Sequence, residues 1–231
     1  MIDMANKGNS RHIKSLASPE YFSIHRKAGG RYVVKPVPGR HSVEKSVALS
    51  LFVKKLGVAR TTSEATAVIR GGGVIVNGKA IKEAKYPVGM NDHIALVADN
   101  KLYEAGINGR GQLSFKEVKE GAPTQQYKVV GKYKGKKDTM MIRLHDGRSM
   151  KSDGKIDRND SVVLDKSMAV KGVLKMKENA KCIIIDGVHV GAEGKVVEIR
   201  KGNMHKGAAA LIESSHGEKF ETLVRNLMVI G

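Results

Sequence analysis

The reading of this chain turns on three runs: Val43-Glu-Lys-Ser-Val-Ala-Leu-Ser-Leu-Phe-Val-Lys-Lys-Leu56, Thr61-Thr-Ser-Glu64 and Val74-Ile-Val-Asn-Gly-Lys-Ala-Ile81. In the first, Ala48, Leu49, Phe52, Val53 and Leu56 recur at helical spacing and make one apolar stripe. Ser42 is placed to cap this helix, Glu44 suits the positive end of its dipole, and Gly57 stops it. Thr61 and Glu64 form a capping box for a second helix. Ala65, Val68 and Ile69 share a face of it, and Gly71-Gly72-Gly73 ends it. Val74 to Ile81 reads as two β runs about Asn77-Gly78, a strong hairpin signal because both residues tolerate positive φ. Tyr86-Pro-Val-Gly89 turns the chain, and His93 to Val97 is a closing strand. Residues 42 to 96 are thus expected to hold two short helices, a tight hairpin and a strand.

Charge points outward from this core. The 231 residues carry a formal net charge of +18 and a pI near 9.9. Folding does not need such a surplus, which costs self-repulsion, so an anionic partner is implied. The surplus is uneven. Residues 1 to 60 hold twelve Lys or Arg against three Asp or Glu, whereas the last fifty-one hold seven against six. There is no tryptophan and aromatic residues are only 4% of the chain, which favours phosphate contacts over binding dominated by base stacking. No apolar run is long enough to span a membrane, and the N-terminus lacks the apolar core of a signal peptide. The single cysteine, Cys182, excludes an internal disulfide and fits a reducing cytoplasm.

The order Ala59-Arg-Thr-Thr-Ser-Glu-Ala65, Gly73-Val-Ile-Val-Asn-Gly-Lys79 and Lys85-Tyr-Pro-Val-Gly-Met-Asn-Asp92 resembles the S-four RNA-binding module. In this form it is most similar to the archaeal and eukaryotic ribosomal protein S-four-e family of the small subunit. His12-Ile-Lys-Ser-Leu-Ala-Ser-Pro19 and Pro36-Val-Pro-Gly-Arg40 match the family's N-terminal extension in place and order. The end, Arg225-Asn-Leu-Met-Val-Ile-Gly231, matches as well, so the resemblance spans essentially the whole chain.

Residues 1 to 41 are basic, rich in Gly, Ser and Pro, and too poor in apolar side chains for a core of their own. Composition alone describes a flexible tail; the resemblance implies an arm that orders on RNA. Residues 98 to 110 read as a turn-rich connector. Beyond it short β runs follow: Gln126 to Val130, Thr139 to Leu144, Ser161 to Leu164 and Val170 to Leu174, the pattern of a small barrel or sandwich. Lys181 to Ile185 reads as a strand buried on both faces. With Gly187, Gly191, Gly194 and the strand Lys195 to Arg200, it resembles a KOW motif, and Ala208 to Glu213 and Phe220 to Val224 would complete a small barrel. The expected fold is therefore α+β and multidomain: a basic arm (1–41), a two-helix-plus-hairpin RNA-binding module (42–106), a central β domain (107–177) and a KOW-like β-barrel (178–231).

Reactive chemistry finds little support. Gly73 to Lys79 approaches a phosphate-loop pattern, but Ala80 stands where the Mg²⁺-binding hydroxyl belongs. Asp153, Asp157 and Asp160 do not follow the EF-hand spacing. His189, His205 and His216 have no Cys or Glu at zinc-ligand spacing. Cys182 reads as a small core residue. No cofactor, metal or small-molecule substrate is expected.

The function this implies is a structural, non-enzymatic constituent of the small ribosomal subunit, cytoplasmic and monomeric outside the ribosome. Its partners would be 16S-type rRNA and neighbouring small-subunit proteins. Candidate phosphate contacts are Arg11, Lys14, Arg26, Lys27, Arg31, Arg40, Lys54, Lys55, Arg60, Arg70 and Lys79, with Lys201, His205 and Lys206 in a C-terminal basic loop. The alternatives are an RNA-modifying enzyme carrying the same module, or a transient transcription or translation factor.

Overall fold

The computed structural model describes residues 10, 12–24, 30–118, 125–135, 138–152, 154–165, 169–203, 207–214 and 217–231. Over these residues the chain is mostly β, with two α-helices and three five-stranded antiparallel sheets, each over its own apolar core. It opens with a two-stranded ribbon, β1 (Ile13–Lys14) and β2 (Tyr32–Val33). A short strand, β3 (Ser46–Ala48), then leads into α1 (Leu49–Lys55) and α2 (Thr62–Arg70). Next come β4 (Val74–Val76), β5 (Lys79–Ala80), β6 (Pro87–Gly89), β7 (His93–Leu96), β8 (Lys101–Ile107) and β9 (Leu113–Val118). Their sheet runs in the order β5-β4-β7-β8-β9, while β3 pairs separately with β6.

Several local expectations hold. The Thr61 hydroxyl accepts from Glu64 N–H (3.2 Å) and the Glu64 carboxylate from Thr61 N–H (3.3 Å), so the capping box is complete. At the other end of α2, Gly73 N–H donates to Val68 O and Gly72 N–H to Ile69 O, which covers the last carbonyls in a Schellman arrangement. Asn77 (φ 49°) and Gly78 (φ 79°) make the two-residue turn that sets Val76 opposite Lys79.

Several expectations are corrected. The first helix does not begin after Ser42. Val43–Lys45 is a single 3₁₀ turn, and Ser46–Ala48 is extended because it pairs with Pro87–Gly89, the segment expected to be a turn. The helix starts at Leu49, where Tyr86 O and Ala84 O accept from the Leu49 and Ser50 amides (both 2.9 Å) and do the work of a cap. Residues 98 to 110 are not a connector. Turns occupy only residues 97–100 and those near Gly109; between them β8 runs unbroken across residue 106 and pairs along its length with β9. The described part of the arm is no free tail either. Phe22 is buried in the first core, and Ile13, Tyr21, Ile24 and Val33 pack against it. Burying one such aromatic ring contributes about 2 kcal/mol, and the ribbon gains it by leaning on the module.

The central sheet comprises β10 (Gln125–Lys134), β11 (Met140–Leu144), β12 (Ser149–Lys151), β13 (Ser161–Leu164) and β14 (Val170–Leu174). Its long strand β10 pairs with β13 through Gln125–Lys128 and with β11 from Val129 onward; a bulge between Val129 and Gly131 bends it. Tyr127, Val129, Ile142, Leu144, Val162 and Leu164 fill the core beneath. The last sheet runs β18 (Lys219–Leu223), β17 (Ala209–Ser214), β16 (Glu193–Arg200), β15 (Lys181–Ile184) and β19 (Leu227–Val229). In β15 Cys182 and Ile184 point inward while Lys181 is exposed, so this strand is covered fully on one face, not both.

Candidate nucleic-acid interface

The helix pair sets out the cations of the module. Lys54 lies in the last turn of α1, Arg60 immediately precedes the cap of α2, Arg70 ends α2, and Lys79 follows the hairpin turn; all four are exposed. Among the described residues none of them has a carboxylate within salt-bridge distance. The nearby acid is already engaged. Glu64 accepts from the Arg60 and Thr61 amides, bonds that hold its carboxyl below the usual range, so it serves the helix N-terminus and leaves the Arg60 guanidinium uncompensated. Elsewhere the pattern differs: Lys101 pairs with Glu117, Lys134 with Asp138, Lys171 with Asp165, Arg200 with Glu198 and Lys219 with Glu213. The helix pair and hairpin thus present a group of exposed cations without an ion pair; others, among them Arg143, Lys151, Arg158 and Lys195, lie on the central and last β units. Lys55 departs from its neighbours. Its ammonium donates to Leu113 O (3.3 Å) and lies over the Phe115 ring, and partial burial lowers its pKa, so it ties α1 to β9.

Of the arm residues, Lys14 and Arg31 are exposed on the ribbon, whereas Arg11, Arg26 and Lys27 lie outside the described residues. Lys201 is exposed after β16; His205 and Lys206 lie outside the described residues, as do Asp153 and His216. Asp157 and Asp160 are occupied by turn hydrogen bonds and by Lys132. His189 stacks on Phe220, and Cys182 is buried, with its thiol pushed up to about 11 by burial. Gly73 to Lys79 is a strand and a turn, with no loop to wrap a phosphate.

Arg40 is placed where sequence reasoning did not foresee. Its guanidinium donates to Asp146 (2.8 Å) at the end of β11 and lies 3.4 Å from Asp92 before β7. Both carboxylates are fully buried. Asp92 also accepts from His41 Nε2 (2.9 Å), Asn77 Nδ2 (2.7 Å) and Gly89 N–H (3.0 Å); Asp146 accepts from the side chain and backbone of Arg148. Burial alone would raise both acids, but these donors and cations hold them below the ordinary aspartate range. Burial likewise opposes the Arg40 charge and is outweighed by the two aspartates. One arginine thus fastens the arm, the module and the central sheet together. Lys128 does the same for the last sheet: its buried ammonium donates to Val224 O (3.1 Å) and Arg225 O (2.6 Å). Burial, with Lys45 and Arg158 nearby, lowers it to about 8. These partners are dozens of residues apart, so no spacing rule could have found them. The one available hint was two Asx-Gly or Asn-Asp turn signals carrying acids.

Comparison with known proteins adds to this geometry. An RS4NT domain model matches residues 7–44, an S4 domain model residues 49–94, and a model of ribosomal family S4e residues 99–167. Small ribosomal subunit protein eS4 of Methanococcus vannielii is 33% identical over 239 residues, covering 99% of this chain and 97% of its own length. Its counterpart in Nanoarchaeum equitans is 30% identical over 223 residues, covering 95% of each. The crystal structure of 30S ribosomal protein S4e from Thermoplasma acidophilum has the same fold, with a TM-score of 0.69 at 25% identity over 81% of this chain and 95% of that one.

Proposed function

Because the chain belongs to the eS4 family of small ribosomal subunit proteins, it is a structural constituent of that subunit, and we propose that it holds 16S-type rRNA chiefly through the helix pair and hairpin. The family assignment removes the enzyme alternative and places the chain with the cytoplasmic ribosome. The observation that carries the RNA face is the set of exposed cations Lys54, Arg60, Arg70 and Lys79 without acidic partners, beside an acid spent on helix capping. Lys14 and Arg31 extend this surface along the arm. Arg40 is left out of it because two buried aspartates hold it, and Lys55, though exposed, because its ammonium is drawn to Leu113 O and the Phe115 ring. The mechanism is assembly, not turnover: cations neutralise phosphates and release condensed counterions, while a rigid shape selects where they can be neutralised together.

The rest of the chain supplies that rigidity. The last sheet is taken as a KOW-like barrel, a reading supported by the tight β15–β16 connection at Gly187 and Gly191 and by Gly194, where a Cβ would lie 2.5 Å from Glu213 O. Neighbouring small-subunit proteins complete the environment, and the free chain is taken as a monomer.

The test replaces Lys54, Arg60 and Arg70 together with Gln and measures binding to in vitro transcribed 16S rRNA across a salt series. Three lost phosphate contacts should flatten the slope of log affinity against log salt by about 2–3. An unchanged slope in a normally folded variant would refute the face.

A further inference from the structure

We propose that the arm ribbon carries a stacking site for one unpaired nucleobase, centred on Tyr32. This rests on the RNA reading above and deepens it, since sequence composition favoured phosphate contacts alone. The ribbon is built two-faced. Ile13 and Val33 are a cross-strand pair that packs on the first core, and this leaves the next pair, Lys14 and Tyr32, facing solvent. Tyr32 is the most exposed of the described Tyr and Phe rings and lies at the protein's most basic end: it is 54% exposed against 44% for Tyr133, while Phe22, Phe52 and Tyr127 are at or below 1%.

The ring is held ready. His12 meets it at 89° with centroids 5.2 Å apart, and the Arg31 guanidinium lies over it at 5.6 Å. The backbone that carries both is fixed. The Ser10 hydroxyl donates to His12 O (3.0 Å), and the Lys35 ammonium donates to Ser10 O. Arg31 O accepts from Ser15 N–H (3.0 Å), and the Ser15 hydroxyl donates to Gly30 O, which closes the ribbon behind the ring. A pre-set aromatic face loses little side-chain entropy on binding. Lys14 directly across the ribbon and the Arg31 guanidinium over one face of the ring are placed for the phosphates flanking a base stacked on the other face of Tyr32. A π face, an edge-on histidine and two exposed cations fit single-stranded RNA; stacking is sequence-tolerant, so the ligand class is an unpaired base of any identity.

The full-length chain is assayed as wild type, Tyr32→Phe, Tyr32→Leu and Lys14→Ala against 16S rRNA and against single-stranded poly(A). Tyr32→Phe should bind as wild type. Tyr32→Leu should lose about 5- to 150-fold, the range for one base–aromatic stack, with an unchanged salt slope because no charge is removed. Lys14→Ala should lower the slope by about one contact. Because the ring is exposed, melting of the Leu variant should match wild type; a destabilised Leu variant hands the decision to Tyr32→Gln and to photocrosslinking of Tyr32 to RNA. Wild-type binding with equal affinity in Phe and Leu or Gln variants and no crosslink overturns the stacking site and leaves the phosphate face standing. Failure of the wild type to bind 16S rRNA overturns both.

Discussion

Arg40→Met takes away a side chain that joins the arm to the RNA-binding module and the central sheet at once. The methionine fills much the same apolar volume, so the change isolates the guanidinium. Asp146 loses a charge-assisted hydrogen bond of 2.8 Å and Asp92 a cation at 3.4 Å, and both carboxylates stay fully buried. Removing one partner of a buried ion pair costs about 3–5 kcal/mol. Here Asp92 keeps His41, Asn77 and Gly89 N–H, and Asp146 keeps Arg148, so the low end applies, about 3 kcal/mol. For a chain of this size that is about 6–12 °C in Tm. Urea unfolding followed by circular dichroism measures it, and Asp146→Asn completes a double-mutant cycle whose coupling should exceed about 1 kcal/mol. Amide exchange should also rise around residues 145–148, because the β11–β12 turn loses its tie to the arm. A loss below about 0.5 kcal/mol, as at an ordinary surface site, would refute the claim that Arg40 locks three parts of the chain.

Two further outcomes follow from the same seam. Burial holds His145, beside Asp146, His41 and Asp92, down to about 4, against about 6.5 in the unfolded chain. The unfolded state therefore binds more protons between these values, so stability is complete above pH 6.5 and falls by about 3 kcal/mol as pH drops towards 4; His145→Gln should flatten that stretch of a stability–pH curve, and an unaltered curve would remove His145 as its source. The aspartates, depressed below 3.8, add their loss only at still lower pH. Gly147 has φ +86°, and a Cβ there would sit 2.5 Å from Arg40 O, so Gly147→Ala should cost at least about 2 kcal/mol in urea unfolding; a neutral result would mean the turn is free to move away from the arm.

How far the sequence carried the reading depended on distance along the chain. The capping box at Thr61, the stop after Arg70 and the turn at Asn77-Gly78 each join residues at most five apart, so spacing alone announces them. The family resemblance and the basic bias of the first sixty residues were equally legible, and with them the ribosomal role. The strict start of α1 was not. Its first amides are satisfied by Ala84 and Tyr86 and its approach pairs with Pro87–Gly89, so residues some forty positions away chose between helix and strand for Ser46–Ala48. For the same reason Arg40 read as one more surface cation until Asp146, 106 residues on, was brought beside it. Local hydrogen bonds are written in residue order, whereas the partners of a buried charge or an unpaired backbone amide are set by which segments pack together. Only the tertiary structure could therefore separate the cations that hold the protein together from those left exposed.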